Sequence, residues 1–291
     1  MDGYTSWIRS GSWPDSRQFF QFAFQRKLAH NGAMKRLSAL LLVAVGATSA
    51  LASPFAATLN TNMTRYRVNV ANNAEVPLGT NPFMSDSLAM GATGTLYSAD
   101  SLGVIWDVSG APIPVGPTGK TQIGDLVAGN NGLWGFSNFN QELFFFDFGT
   151  SSVTYAQSIN GVGGFTITGV AYQGSTGDVY LSGNIGLNTD TLFHVMNSST
   201  SATAVGAMNN GDGVSYFSDI EFDASGTLYA MSWYHRWFYS VSTVNANTSF
   251  VSAGPHRDVT AMALPVPEPS AFVGIVVCFS FLLYRKRPSG R

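Results

Sequence analysis

The sequence predicts an all-β fold, a five-bladed β-propeller, between residues 53 and 264. Short apolar strands alternate there with turns rich in Gly, Asn and Ser, and no stretch has convincing helical periodicity. Four stretches repeat one phrase, and their turn glycines are 38, 45 and 49 residues apart. Four short antiparallel strands in each repeat of about 40 to 50 residues are typical of a propeller blade.

The repeated phrase is a strand, a glycine turn, and a second strand that opens on an aliphatic and an aromatic residue. Its four copies are LAMGATGTLY (88–97), LVAGNNGLW (126–134), VAYQGSTGDVY (170–180) and IEFDASGTLY (220–229). A third strand is predicted after each copy, at 104–108, 143–148, 192–196 and 238–241. The fourth strands often end on glycine, as at Gly116, Gly206 and Gly254.

A fifth blade is expected to be split between the two ends of this region. Residues 64–70 and 75–79 are its predicted outer strands, and VTAMAL at 259–264 matches the first strands at 167–172 and 217–222. Pairing of the two ends would close the ring and remove open sheet edges. A β-sandwich is the alternative, but the periodic glycine-aromatic phrase favours the propeller. The pattern resembles repeat propellers of the kelch and NHL type without their signature residues, so it implies a fold and no function.

The charge composition of this region limits the classes of partner that it can bind. Residues 53–264 contain fourteen acidic side chains against five basic ones, a formal charge of −9, whereas the whole chain carries −2. Such a charge argues against nucleic acid or an anionic membrane as a partner. The single cysteine, Cys278, lies outside the region, which therefore holds no disulfide, thiolate metal site or cysteine nucleophile.

The N-terminal part predicts a secretory signal peptide at 34–52. MKR at 34–36 is a short basic segment, 37–45 is apolar, and Ala50 and Ala52 form a small-x-small site for signal peptidase after passage through the secretion translocon. Residues 1–33 lack periodicity and are interpreted as upstream sequence translated from a wrong start. An unusually long signal peptide is the alternative.

The C-terminal part carries three elements in order. Pro267, Glu268 and Pro269 come first, the uncharged apolar run 271–284 follows, and the basic cluster Arg285, Lys286 and Arg287 comes last. The positive-inside rule keeps the basic cluster cytoplasmic and places the preceding domain outside. A helix of 14 residues rises only about 21 Å against a hydrocarbon core of about 30 Å, so this transmembrane helix is a marginal permanent anchor.

These three elements closely resemble the PEP-CTERM sorting signal of Gram-negative bacteria that secrete extracellular polysaccharide. The resemblance covers residues 266–287 and implies that the tail, 265–291, is held in the inner membrane. Exosortase, a membrane-embedded cysteine peptidase, would then recognise Pro267, Glu268 and Pro269 and remove the helix. An ordinary anchor behind a proline-rich spacer is the alternative, and both interpretations export the domain.

Acidic residues are the first candidates for chemistry. Asp125 and Asp219 hold equivalent positions near the start of a first strand, where propellers turn side chains toward the central channel, so together they could hold calcium. Asp at a strand start more often binds backbone N–H groups, and the matching positions are Ser87, Gly169 and Ala261. No other cofactor is expected.

Alternation places three carboxylates, Asp219, Glu221 and Asp223, on one strand face. They could supply acid and base to a glycoside, although a solvated face explains them equally well. Asp223 before Ser-Gly also fits a tight turn. The histidines of the region, His194, His235 and His256, show no metal-ligand spacing.

An aromatic cluster is the most unusual local feature. Trp233, Tyr234, His235, Arg236 and Trp237 fall between the second and third strands of one blade, in a loop on one propeller face. Sugar rings stack on Trp and Tyr while Arg and His donate hydrogen bonds, so a carbohydrate-contacting loop is reasonable. Packing of alternating members, such as Trp233 and Phe238, between blades is the simpler interpretation. Asn138 and Phe139 form a weaker counterpart in the second blade.

Two classes of function stay open. The favoured class is a non-enzymatic, exported surface or matrix protein that is processed by exosortase and displays loops to polysaccharide, protein or small ligands. The alternative is a secreted propeller hydrolase or lyase that uses Asp125, Asp219, Glu221 or a histidine at the channel mouth.

Overall fold

The computed structural model of the chain describes residues 55–69, 74–186, 190–209, 216–233, 237–253 and 258–264. Within these residues, twenty strands form five four-stranded antiparallel sheets. The predicted five-bladed propeller is therefore confirmed. The predicted signal peptide and its Ala50 and Ala52, and the tail with Pro267, Glu268, Pro269 and the 271–284 helix, lie outside the described residues.

Four blades each take four consecutive strands. The first contains β4 (Ala89–Met90), β5 (Leu96–Ala99), β6 (Val104–Asp107) and β7 (Ile113–Pro117). The second contains β8 (Ile123–Gly129), β9 (Gly132–Ser137), β10 (Glu142–Asp147) and β11 (Ser152–Ser158). The third contains β12 (Thr166–Gln173), β13 (Asp178–Asn184), β14 (Thr191–Val195) and β15 (Ala202–Ala207). The fourth contains β16 (Phe217–Phe222), β17 (Leu228–Ser232), β18 (Trp237–Val241) and β19 (Thr248–Ala253).

The fifth blade joins the two ends of the domain, as the sequence predicts. Its order is β20 (Val259–Ala263), β1 (Phe55–Asn60), β2 (Thr64–Asn69) and β3 (Glu75–Thr80). The last strand thus pairs with β1, which the sequence analysis did not recognise, and Ala261 lies opposite Leu59. This pairing covers the sheet edges that a linear array would leave open.

The first strand of each blade lies at the centre of the ring. These inner strands, β4, β8, β12, β16 and β20, contact one another in that order and back to β4. Among the described residues no helix is long and apolar enough to cross a membrane.

Five apolar clusters fill the spaces between neighbouring blades. The cluster between the second and third blades, for example, joins Val127 and Phe136 to Val170 and Leu181. Another joins Met231 and Phe238 of the fourth blade to Val68 of the fifth, so the predicted packing of Phe238 between blades is seen. The core of this domain is therefore distributed between blades, and each blade depends on both neighbours.

The repeated phrase has a physical explanation in this packing. Its aliphatic member is buried, as at Leu133, while its aromatic member reaches the next blade. Trp134 stacks on Tyr172 at 6.0 Å between ring centroids, and Tyr180 meets Phe222 at 5.5 Å. The turn glycines Gly94, Gly177 and Gly226 adopt positive φ, and Asn131 takes that role in the second blade.

Candidate functional site at the channel mouth

A ring of five equivalent residues surrounds one end of the central channel. In four inner strands a β-bulge inserts one residue near the strand start, and these residues are Gly124, Thr168, Ser218 and Thr260. Asp86 holds the corresponding position in the first blade, directly before Ser87. A bulge bends its strand and re-aims the inserted residue, so the repeated bulge turns these four residues toward one opening, at which Asp86 also lies.

A cavity of about 550 Å³ lies at this opening, and all five ring residues line it. The remaining walls come mainly from segments next to the inner strands and from loops between second and third strands, including Gln122, Asn138, Gln141, Phe165, Tyr216 and Trp233. None of the described lining residues is basic, and the one carboxylate among them belongs to Asp86. All five blades thus contribute to one polar cavity with aromatic walls.

Three aromatic side chains form part of the cavity wall. Tyr216 and Trp233 contact each other with ring centroids 5.6 Å apart. Phe165 makes an edge-to-face contact at 4.8 Å with the buried Phe193, which holds it in place. Because packed neighbours hold these aromatic rings in place, the rings form a fixed part of the cavity wall.

The structure places the described residues of the predicted aromatic loop in different environments. Trp233 lines the cavity, whereas Trp237 packs edge-on against Phe250 at 5.2 Å on the outer part of the blade. Tyr234, His235 and Arg236 lie outside the described residues. In the corresponding loop of the second blade, Asn138 lines the cavity and Phe139 points to solvent with 69% of its surface exposed.

Two loop amides brace the next blade. Asn138 accepts the N–H of Ile167 and donates to its carbonyl, both at 2.8 Å. Gln141 Nε2 donates to the carbonyl of Asn138 at 3.0 Å. Asp190, in the loop between β13 and β14, accepts the N–H of Phe217, which is equivalent to Ile167. Loops of one blade thereby hold the start of the next inner strand.

Asp125 and Asp219 lie one residue deeper than the bulges and are fully buried. Asp125 Oδ2 accepts the N–H of Val170 at 2.8 Å, and Asp219 Oδ2 accepts the N–H of Met262 at 2.6 Å. Gly169 and Ala261 hold the positions that match Asp125 and Asp219 in the neighbouring blades. Val170 and Met262 directly follow these positions, so the two hydrogen bonds are the same contact repeated between two pairs of blades. The backbone-binding interpretation of these residues describes this geometry.

The two aspartates also contact each other across the third blade. Burial raises the pKa of Asp125 well above its usual range, and the charge of Asp219 raises it further. Burial likewise raises the pKa of Asp219, to about 8, even though Asp125, Met262 and Ile220 donate hydrogen bonds that favour its charged form. Asp125 Oδ1 is buried without an N–H partner in the described part of the chain. A proton shared with Asp219 would satisfy this oxygen, and the raised pKa values of both groups favour a pair that is less than doubly charged.

Metal binding by this pair remains a prediction. Within the described ranges, no group of three or more His, Cys, Asp or Glu side chains is arranged to hold a metal ion.

The predicted acidic strand face separates into two environments. Glu221 is buried like Asp219 and accepts the N–H of Leu264, and burial followed by the charge of Asp219 raises its pKa well above normal. Asp223 instead lies in a surface turn and accepts the N–H groups of Ser225 and Thr227, both at 2.9 Å. The tight-turn interpretation of Asp223 therefore describes its contacts.

Away from the cavity, His194 pairs with Asp178 at 3.0 Å and stacks on Tyr180 at 4.7 Å. His235 and His256 lie outside the described residues. The mouth residues Asp86, Gln122, Gln141 and Tyr216 were missed from the sequence, although Asp86 could have been found as the residue before the Ser87 position of the ring.

Comparisons with known proteins add little to this geometry. No family model matches the chain, and no curated protein matches it. A chain in the crystal structure of a nidogen/laminin complex is similar, with a TM-score of 0.47 and 9% identity over 73% of this chain and 84% of that chain. This similarity carries no inference about function.

Proposed function

We propose that this chain is an exported, non-enzymatic binding protein whose channel-mouth cavity takes a sugar unit of an extracellular polysaccharide. The observation that carries the proposal is the cavity to which all five blades contribute and whose walls combine Phe165, Tyr216 and Trp233 with polar groups. Its volume of about 550 Å³ falls within the range of about 300 to 1,000 Å³ that is usual for small-ligand sites.

Sugar chemistry matches such walls. A pyranose presents an apolar C–H face, which packs on an aromatic ring, and a rim of hydroxyls, which need hydrogen-bond partners. Tyr216 and Trp233 lie side by side on one wall, and the polar bulge residues lie in the ring around the opening. A sugar unit can therefore place each kind of surface against its counterpart.

The carboxylates favour binding over catalysis. Glycoside hydrolysis usually requires two carboxyl groups about 5 to 9.5 Å apart on either side of the scissile bond. Among the described lining residues Asp86 supplies one, while Asp125, Asp219 and Glu221 are buried and bind backbone N–H groups of neighbouring blades. The alternative, a secreted hydrolase or lyase, would need a second titratable group beside Asp86.

Titration calorimetry of the purified protein with polysaccharide from its host tests the binding. Trp233→Ala should weaken binding about tenfold or more, which corresponds to a loss of about 1.4 kcal/mol. Phe139→Ala is the matched control, because this exposed aromatic residue lies in an equivalent loop without lining the cavity. Equal affinities of the two variants would contradict the proposal, and shortening of the polymer on incubation would favour the enzyme alternative.

The export part of the proposal rests on the two terminal sequence signals. We expect signal peptidase to cleave after Ala52 and exosortase to cut near Pro267, so that protein released from the host begins at Ser53 and lacks the apolar tail. Intact mass spectrometry checks both ends. Alanines at Pro267, Glu268 and Pro269 should trap a membrane form that keeps Arg285, Lys286 and Arg287, whereas unchanged processing would reduce the tail to an ordinary anchor.

A further inference from the structure

Three hydroxyl donors of the described cavity wall are already engaged within the fold. The hydroxyl of Thr168 donates to the carbonyl of Phe217 at 2.9 Å, and that of Ser218 donates to the carbonyl of Met231 at 3.3 Å. Thr260 donates to the carbonyl of Leu59 at 3.4 Å. Each of these hydroxyls keeps lone pairs for a ligand, but its proton is committed to the backbone.

The side-chain amides follow the same pattern. Asn138 Nδ2 donates to Ile167, and Gln141 Nε2 donates to Asn138 and Phe165. Gln141 Oε1 has no hydrogen-bond partner among the described residues, but it is buried and therefore not presented to a ligand. The exposed amide of Gln122 can donate or accept, so it does not discriminate between ligands.

Asp86 adds the strongest acceptor. Its carboxylate is exposed at the cavity, although the surrounding walls remove enough solvent to raise its pKa. No basic side chain lies among the described lining residues to offset its charge. Around the opening, the three committed hydroxyls and Asp86 therefore offer acceptors and one negative charge, and an anionic group placed beside them would face both.

From this arrangement, which rests on the proposed function, we infer that the cavity selects saccharides without acidic groups and excludes uronic acids and sulfated or phosphorylated sugars. Hydroxyls of a neutral sugar, or the ammonium group of an amino sugar, supply the donors that Asp86 and the bulge hydroxyls lack. A carboxylate on the sugar supplies further acceptors and leaves the wall acceptors without partners.

Calorimetric titration of the full protein with three oligosaccharides of equal length, neutral, amino and uronate, tests this inference. The neutral and amino oligomers should bind at least about tenfold more tightly than the uronate. Asp86→Asn should narrow the gap, and Asp86→Lys should reverse it, because a cation replaces the acceptor. Thermal unfolding of both variants verifies that they fold, as expected for an exposed position.

The possible results separate the inference from the proposed function. Uronate binding as tight as neutral binding overturns the inference and leaves the proposed function intact. Arg236, three positions after Trp233 and outside the described residues, is the control for that result, and loss of uronate binding in Arg236→Gln would identify it as the anion partner. Binding of none of the three oligosaccharides overturns the proposed function and the inference with it.

Discussion

Asp219 Oδ2 accepts a hydrogen bond from the backbone N–H of Met262 at 2.6 Å, which ties the inner strand of the fourth blade to the strand that closes the ring. Glu221, two residues further along β16, does the same for Leu264. Two buried carboxyl groups of one strand thus hold the C-terminal strand of the propeller. The residues that looked most like catalytic acids in the sequence serve ring closure.

Removal of the contact between Asp219 and Met262 should weaken the attachment of β20, the strand that closes the ring. Asp219→Ala leaves the Met262 N–H buried without its acceptor, and we expect it to lower the free energy of unfolding by about 1 to 3 kcal/mol. Hydrogen exchange should accelerate first in β20 and β1. Asp219→Asn keeps a carbonyl acceptor and serves as the control. Exchange that rises equally in all five blades would contradict a local role in closure.

The raised pKa values of Asp125 and Asp219 predict that the protein is more stable at mildly acidic than at alkaline pH. Burial raises the pKa of Asp219 to about 8 and that of Asp125 well above normal, while an unfolded Asp titrates near about 3.9. Between these values the native state retains a proton that the unfolded chain releases. Stability is therefore greatest below the unfolded pKa and declines as pH rises, by on the order of 1 to 3 kcal/mol between pH 5 and 8.

Burial also raises the pKa of Asp190, to about 6, and that of Glu221. Both groups therefore also make the folded state less stable as pH rises. Urea unfolding at several pH values measures how the free energy of unfolding changes with pH, that is, the slope of stability against pH. Asp125→Asn, a neutral residue that keeps an acceptor for Val170, should flatten it and stabilise the protein at pH 8. A wild-type slope in this variant would mean that the pair does not share a proton.

Gly169 should tolerate no side chain, because its inner strand passes close to the fourth blade. A Cβ there would lie 2.6 Å from both the backbone nitrogen of Ile220 and Ser182 Oγ. Gly169→Ala should therefore destabilise the protein by about 1 to 3 kcal/mol, as overpacking does. Gly163→Ala, where a Cβ meets nothing within 4 Å, is the matched control. Equal thermal unfolding midpoints would contradict this packing.

The fold could be predicted from the sequence because propeller packing repeats. Each blade needs an aliphatic residue inside and an aromatic residue toward its neighbour, so pairs such as Leu133 and Trp134 recur at nearly fixed spacing. The split fifth blade was visible because β20 repeats the inner-strand phrase. Its partner β1 was missed because it follows directly after the predicted signal peptide and lacks the glycine turn that marks the other blades.

The candidate site could be predicted only in part. Trp233 stood out by composition, but the cavity also depends on Asp86, Gln141 and Tyr216, which are far apart in sequence and unremarkable alone. The closed ring of blades brings such residues together around bulges, and a bulge leaves little trace in a sequence beyond one extra residue. Asp125 and Asp219 were recognised as equivalent, yet their contact across Gly169 arises from the ring geometry.

A crystal structure of the protein soaked with a neutral oligosaccharide tests the central claim most directly. We expect one sugar unit at the channel mouth, with its ring against Trp233 and Tyr216 and a hydroxyl within hydrogen-bond distance of Asp86. A saccharide bound only on the outer strands or at the opposite end of the channel, with the mouth occupied by solvent alone, would contradict it.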